Sequence, residues 1–314
     1  MSSLVLSPLG LAPRRAVPRH FLMCRPTYFD VSYAINPWMD PSLPVDAGRA
    51  VVQWEALVDT YRSFGHQVDL LDPVPGLPDM VFAANGATVV DGRVLQAKFA
   101  NRQRRAEAGH HRDWHRARGG AADADTGRPV IRPARAVNEA EGDFAVLSDR
   151  ILAGSGFRTK RAAHRELAQL TGRPVISLEL VDPRFYHLDV ALTVLDDRHD
   201  HIAYYPAAFS APSQRVLAEL FPDAVLAEAA DASVLGLNCV SDGQHVFVPT
   251  GAPHLMAELA RAGYEPVAID LSELLKGGGS VKCCTQEIRP SRTLTREPYL
   301  GAVSSPSTES RELR

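Results

Sequence analysis

Cysteine is scarce in this chain, with four residues in 314. That excludes a disulfide-built scaffold. Cys24, Cys239, Cys283 and Cys284 have no CxxC spacing, which also argues against a zinc cage. Long apolar runs are missing, so no segment qualifies as a bilayer span. An excess of one charge is missing too. The formal net charge of -3 offers no footprint for nucleic acid or an anionic membrane. There is no GxSxG element, no phosphate-binding loop and no dinucleotide fingerprint. The opening MSSLVLSPLGLAPRRAVPRH carries its arginines after its apolar patch, the reverse of a secretory signal. These absences lead to the expectation of free thiols in a reducing cytoplasm. Residues 1–18 are expected to form a flexible extension, 19–290 a single catalytic domain, and the polar Ser/Pro-rich 291–314 a disordered tail.

What is present is a recurring unit. In VVQWEALVDTYRSFG followed by HQVDLLD, Trp54, Leu57, Val58, Tyr61 and Phe64 share a helical face, Gly65 ends the helix, and a short β run follows. RAAHRELAQLTG with RPVISLEL, SQRVLAELF with PDAVLAEA, and PHLMAELARAG with YEPVAIDLS repeat the design. Hairpin signals fall between them, at Asp91-Gly92, in FAVLSDRILAG, in ALTVLDDRHDHIAYY and at Asp242-Gly243. A unit of strand, hairpin and helix used four or five times predicts a closed radial array or a solenoid, with a plain α+β sandwich as the alternative. The segment RQRRAEAGHHRDWHRARGGAADADTGRP is expected to be a surface helix and then a mobile loop. His111 and His115, four apart, suggest either a solvated face or a metal pair lacking a third ligand.

Several residues are equipped for chemistry. GGGSVKCCTQ, residues 277–286, puts two thiols after three glycines. In an extended run Cys283 and Cys284 would face opposite sides, so one could sit in a site while the other packs in the core, and both could equally be core residues. His187 and Asp189 in FYHLDVALTV would share one face of a strand, as a proton-shuttling pair or as structural groups. Glu139, Glu141 and Asp143 alternate in VNEAEGDFAVL, either solvated or gathered around a cation. Asn85 in DMVFAANGATVV and Asn36 beside Pro37 bring amides into apolar surroundings, as turn formers or ligand groups. One thiol, one imidazole, several carboxylates and two amides suit a small, planar, cationic substrate.

With those motifs in order, the chain resembles the guanidine-modifying superfamily over about residues 20–290. GGGSVKCCTQ is similar to the superfamily's terminal cysteine motif and aligns Cys283 as the nucleophile. HLD at 187–189 resembles its His-x-Asp. EAEGD resembles its acidic strand motif. MCRPTYFDVSYAINPWM resembles the signature of bacterial dimethylarginine hydrolases and arginine dihydrolases. The resemblance implies an α/β pentein fold, an α/β propeller of five ββαβ-type units around a pseudo-fivefold axis with the site in its centre. It implies Cys283, His187, Asp189 and a glutamate, Glu139 or Glu141, as the catalytic set. Asn36, Asn85, Asp143 and Arg104 would bind substrate, with Arg104 either receiving the α-carboxylate or standing solvated. It implies no metal and no organic cofactor. The implied partner is a small guanidino molecule, arginine or methylated arginine, without nucleic acid or membrane, and self-association is left open. The implied reaction is guanidino C–N hydrolysis through a covalent thiol adduct, giving citrulline plus dimethylamine from dimethylarginine, or citrulline or ornithine plus ammonia from arginine. An amidinotransferase and a non-catalytic scaffold are the alternatives. Asn85, where many deiminases carry Asp, points toward the dihydrolases, because an amide could admit a second attack by water.

Overall fold

The computed structural model describes residues 14–118 and 130–290. The expectations for 1–13, for the loop half of the Arg/His-rich segment at 119–129, and for 291–314 lie outside the described residues. The chain order is β1 (His20–Cys24), α1 (Ala47–Ser63), β2 (Gln67–Leu71), β3 (Ala87–Val90), β4 (Arg93–Gln96), α2 (Glu107–Arg118), β5 (Ile131–Pro133), β6 (Phe144–Val146), β7 (Ile151–Ser155), α3 (Arg161–Thr171) and β8 (Val175–Glu179). It continues through β9 (Leu192–Asp196), β10 (His201–Tyr204), α4 (Ala211–Leu220), β11 (Val225–Leu226), α5 (Ala229–Ala232), β12 (Val240–Ser241), β13 (His245–Pro249), α6 (Pro253–Arg261), β14 (Glu265–Ile269), α7 (Ser272–Leu275) and β15 (Gln286–Glu287).

The strands form five three-stranded sheets, β3-β4-β5, β6-β7-β8, β9-β10-β11, β12-β13-β14 and β15-β1-β2. Each joins an antiparallel pair to a strand that returns parallel to the pair's second member after a helix. This is the ββαβ unit five times over, a pentein α/β propeller. The fifth sheet takes β15 from one end of the described chain and β1 and β2 from the other, so the ring closes by strand pairing. The helices occur where their apolar spacing demands. On α1, Trp54, Leu57, Val58 and Tyr61 are all buried, each contributing about 1.5–3 kcal/mol by leaving water. Tyr61 packs edge-on against Phe247, ring centres 4.9 Å apart, tying unit to unit.

Two expectations change. Residues 14–17 are fastened rather than loose. Arg14 donates to the Ala262 carbonyl and its guanidinium lies 3.8 Å from the centre of the Tyr264 ring, while the Val17 amide bonds to Asp242 O. The solvated face expected for the His pair on α2 is instead a buried one. His111 and His115 point into the protein, the His111 ring lying against the backbone of Gly86, where an added Cβ would stand 2.1 Å away. Among the described residues no group of three metal-ligating side chains accompanies them.

Burial pushes His111 down to about 3, with His115 and Arg104 acting in the same direction. Burial also pushes His115 down to about 4 against the opposing charge of Glu141. The folded state therefore refuses protons that the unfolded chain accepts below about pH 6.5. The stability held above that pH falls as the solution is acidified toward the folded values, by roughly 1.4 kcal/mol per pH unit for each histidine. Urea midpoints at pH 7.5, 6.5 and 5.5 should drop accordingly, and His111→Phe should make the drop shallower. Equal slopes for the two proteins would refute the assignment.

Candidate active site

One position recurs in every unit, two or three residues ahead of its first strand. Asn85 stands there before β3, Glu141 before β6, Asp189 before β9, Asn238 before β12 and Cys283 before β15. Short 3-10 turns at Ala83–Asn85, Ala140–Gly142 and Leu188–Val190, and hydrogen-bonded turns at Leu235–Asn238 and Ser280–Cys284, carry them. Asp189 and Asn238 meet at the Cys283 sulfur, and Asn85 lines a cavity with Cys283. The segments expected to be extended are thus tight turns, and this decides where each side chain goes.

Cys283 and Cys284 separate because of their turn, not because of strand alternation. Cys284 is fully buried in the apolar core. Cys283 lines a cavity with Ile35, Asn36, Met39, Asp79, Phe82, Asn85, Arg104, Arg158, Tyr186 and Gly277. Its sulfur lies 3.3 Å from Asp189 Oδ2 and 3.2 Å from Asn238 Nδ2. All four cysteines are free. The triple glycine allows the close approach. Gly278 has φ +86, and a side chain there would meet Asn36 at 2.6 Å. At Gly279 a side chain would meet the Phe82 ring at 2.4 Å and the Cys283 side chain at 2.9 Å.

The three acids diverge instead of gathering around one cation. Glu139 Oε2 accepts from His187 Nε2 at 2.8 Å and from Arg158 Nη1 at 2.7 Å. Burial alone would raise its carboxyl, but Arg158 and His187 outweigh burial and hold it well below the usual carboxylate range. Because the carboxylate can only accept, His187 carries a proton on Nε2, and Nδ1 has no partner among the described residues. Nδ1 and Asn85 Nδ2 converge on Gly142, where an added Cβ would lie 3.0 Å from one and 2.4 Å from the other. Glu141 turns elsewhere, to Lys282 at 2.6 Å and Arg289 at 2.7 Å, and lines a separate cavity of about 60 Å³. Of the two rivals, Glu139 is the one beside the imidazole. Asp143 accepts from the backbone of Leu188 and Thr159, fixing the His187 turn and the start of α3.

Asp189 is buried, with Oδ1 unpartnered among the described residues. Burial pushes its carboxyl up to about 6 despite the neighbouring His187 and Lys282. Burial, reinforced by Asp189, drives the Cys283 thiol well above its ordinary value. The exposed, easily ionised thiol expected of a nucleophile is not what the structure contains, since Cys283 is 2% exposed. The thiol is placed to donate toward Asp189 Oδ2.

Arg104 is not the solvated alternative. It is buried, bonds Glu107 in two-pronged fashion, donates to the carbonyls of Asp79 and Phe82, and donates from Nη1 to Asn85 Oδ1 at 2.8 Å. That last bond aims the Asn85 NH2 at Glu139 O and the Gly142 turn. Asn36 closes the cavity from the other side, donating to Gly277 O at 3.1 Å. Two residues escaped the sequence reading. Arg158, after β7, bridges Glu139 to the Ile35 carbonyl at 2.6 Å and stacks on Tyr186. Asn238 bonds to Cys283 directly. The recurring turn position could have revealed Asn238 once the units were aligned. Nothing in the local sequence distinguishes Arg158 from the other arginines.

No family model matches the chain. It is 52% identical over 281 residues, 89% of each chain, to N(G),N(G)-dimethylarginine dimethylaminohydrolase of Mycobacterium tuberculosis. It is 33% identical to the bifunctional arginine dihydrolase/ornithine cyclodeaminase ArgZ of Synechocystis, covering 93% of this chain and 40% of that protein. Among solved structures, the substrate-bound N-terminal domain of ArgZ, an arginine dihydrolase, superposes with a TM-score of 0.80 at 32% identity, covering 87% of this chain and 98% of that domain. A dimethylarginine dimethylaminohydrolase adduct at 19% identity, TM-score 0.68, shares the fold.

Proposed function

The chain belongs to the family of dimethylarginine dimethylaminohydrolases and arginine dihydrolases, cysteine hydrolases of guanidino C–N bonds, and on that premise we propose that it hydrolyses free arginine, with Cys283 as nucleophile. The observation that carries this reading is a set of unmatched buried acceptors, one of them on the carboxylate beside the sulfur. Asp189 Oδ1, Asp79 Oδ1 and His187 Nδ1 lack partners among the described residues. A buried acceptor left unmatched costs about 1–3 kcal/mol. An unmethylated guanidinium brings five N–H donors to such a site. Asymmetric dimethylation replaces two of them with methyl groups. The cavity of about 10 Å³ has room for about one water, so a guanidino compound enters only if part of the lining moves aside.

The chemistry follows from the charges. The guanidinium pairs with Asp189, and its positive charge beside the sulfur opposes what burial and Asp189 do to the thiol. The thiol proton passes to the unpartnered Nδ1 of His187, and the thiolate attacks the guanidino carbon. His187, held by Glu139, delivers a proton to the departing nitrogen, and ammonia leaves a covalent adduct on sulfur. Water, deprotonated by the same imidazole, attacks that adduct. Expulsion of sulfur would give citrulline. Expulsion of the second ammonia keeps a thiocarbamate on the enzyme, and a second water releases a carbamic acid that breaks down to ornithine and carbon dioxide. Asn85 cannot hold the second nitrogen as a carboxylate would, which favours the ornithine route. Arg104 and Arg158 are the cations lining the cavity and are the candidates for the substrate carboxylate.

The relative from Mycobacterium tuberculosis supports a second reading, dimethylarginine to citrulline plus dimethylamine. The test is to incubate the purified protein separately with arginine and with asymmetric dimethylarginine and to quantify products by mass spectrometry. Ornithine and ammonia from arginine, with a kcat/KM at least ~10-fold above that for dimethylarginine, is the expected result for the loss of one or two matched donors. Dimethylamine as the faster product would overturn it in favour of the second reading. Amidino transfer requires an added amine acceptor, and ammonia released without one excludes it.

A further inference from the structure

Of the five turn positions, Asn85, Glu141, Asp189, Asn238 and Cys283, the fourth stands nearest the reacting sulfur without a role. Its side-chain amide is 0% exposed and fully used. Oδ1 accepts two backbone N–H groups, from Ser280 at 3.0 Å and from Cys283 at 3.0 Å. Only the oxygen can do this, so the NH2 must point the other way. It donates to Asp189 O at 3.1 Å and to Cys283 Sγ at 3.2 Å. The Asn238 carbonyl also accepts the Lys282 N–H. One residue of the β12 unit therefore suspends the cysteine turn of the next unit and reaches the nucleophile itself.

We infer that Asn238 is a catalytic residue that stabilises the Cys283 thiolate through the hydrogen bond from Nδ2 to Sγ while its Oδ1 holds the nucleophile turn in place. An N–H aimed at sulfur favours the anion over the thiol, because a charged acceptor takes a stronger hydrogen bond. The alternative acceptors near the sulfur work against the anion, since Asp189 Oδ2 lies 3.3 Å away. With the backbone N–H of Ser280, which acts in the same direction, Asn238 is a neutral donor that offsets that carboxylate before substrate arrives, and it stays in place when the guanidinium departs as product. The inference rests on the reading of Cys283 as the nucleophile.

Asn238→Asp separates the two halves of the role, and Asn238→Ser withdraws both. Asn238→Asp keeps an oxygen for the Ser280 and Cys283 amides but turns the donor toward sulfur into an acceptor. Asn238→Ser removes the donor without adding charge and serves if the aspartate fails to fold. The measurement is the rate of iodoacetamide alkylation at Cys283, followed peptide by peptide from pH 6 to 10, with kcat and KM on arginine beside it. The expected result is an alkylation midpoint moved up by a pH unit or more in either variant, a kcat reduced about tenfold or more, and a KM changed by less than about threefold. Unmoved alkylation midpoints in folded variants overturn the inference. Cys283→Ser tells the two claims apart. If it is inactive while the midpoints stay unmoved, only the role of Asn238 fails, and if it remains active the nucleophile assignment fails.

Discussion

Cys283→Ser should reduce ammonia release from arginine by at least ~10³-fold while leaving the folded state within a few degrees of the parent's Tm. The size of the loss comes from the site's own electrostatics. Asp189 and complete burial already oppose ionisation of a thiol, and a serine hydroxyl is a far weaker acid. The guanidinium charge that makes the thiolate accessible cannot make an alkoxide accessible in the same place. Stability is spared because an oxygen accepts from Asn238 and donates to Asp189 as the sulfur does, and it is smaller than sulfur in a turn already held by Asn238. Acid-quenched turnover of the parent should yield a covalent adduct on the peptide containing Cys283 in intact-protein and peptide mass spectra, and the serine variant should yield none. Residual activity above a tenth of the parent's would end the case for a covalent route.

Glu139→Gln should be the most damaging substitution in stability and the second most damaging in rate. The carboxylate is 0% exposed and serves two donors at once, the Arg158 guanidinium at 2.7 Å and the His187 Nε2–H at 2.8 Å. Removing one charge of a buried pair leaves the other uncompensated, at a cost of about 3–5 kcal/mol. The amide also loses the ability to dictate which imidazole nitrogen carries the proton, since it can donate as readily as accept. Loss of the correct tautomer in a comparable carboxylate-imidazole pair costs on the order of 10⁴ in kcat. Chemical denaturation should show the stability loss, and activity per folded molecule should fall by ~10²–10⁴. Glu141→Gln provides the comparison. It breaks ion pairs of an equally buried carboxylate with Lys282 and Arg289, whose own side chains are more exposed than those of Arg158 and His187, and it touches no imidazole bond, so it should show a smaller stability loss and a much smaller loss of rate per folded molecule. Equal rate losses for the two variants would mean that Glu139 acts only as a structural counter-ion.

The elements themselves were readable in the chain. The helical faces of α1, α3, α4 and α6, each followed by a strand, and the hairpins at Asp91-Gly92 and Asp242-Gly243 all occur, because short-range spacing and turn chemistry are local properties. The closing of the ring through β15 and β1 was not local. It pairs Leu22 with Gln286 across the whole domain, and only the repeat count and the family resemblance suggested it. The site was legible as a set of residue types, and it was misread wherever backbone shape decided direction. Alternation put Glu139, Glu141 and Asp143 on one face, whereas the turn at Ala140–Gly142 sends them to three different partners. His111 and His115 looked solvated because their helix is rich in arginine, yet the ring of His111 fits the bare backbone of Gly86.

From its sequence alone this protein is determined to be a repeating α/β chain that carries thiols, an imidazole, amides and carboxylates in the order of the superfamily's motifs, since periodicity and side-chain chemistry reside in neighbouring residues. Only the tertiary structure decided which acid meets the imidazole, that Arg104 holds Asn85 instead of facing water, that Arg158 bonds to Glu139 and Asn238 to Cys283, and that the thiol is buried. Those are matters of burial and of distances across units, and a low-dielectric interior makes each depend on partners far away in the chain.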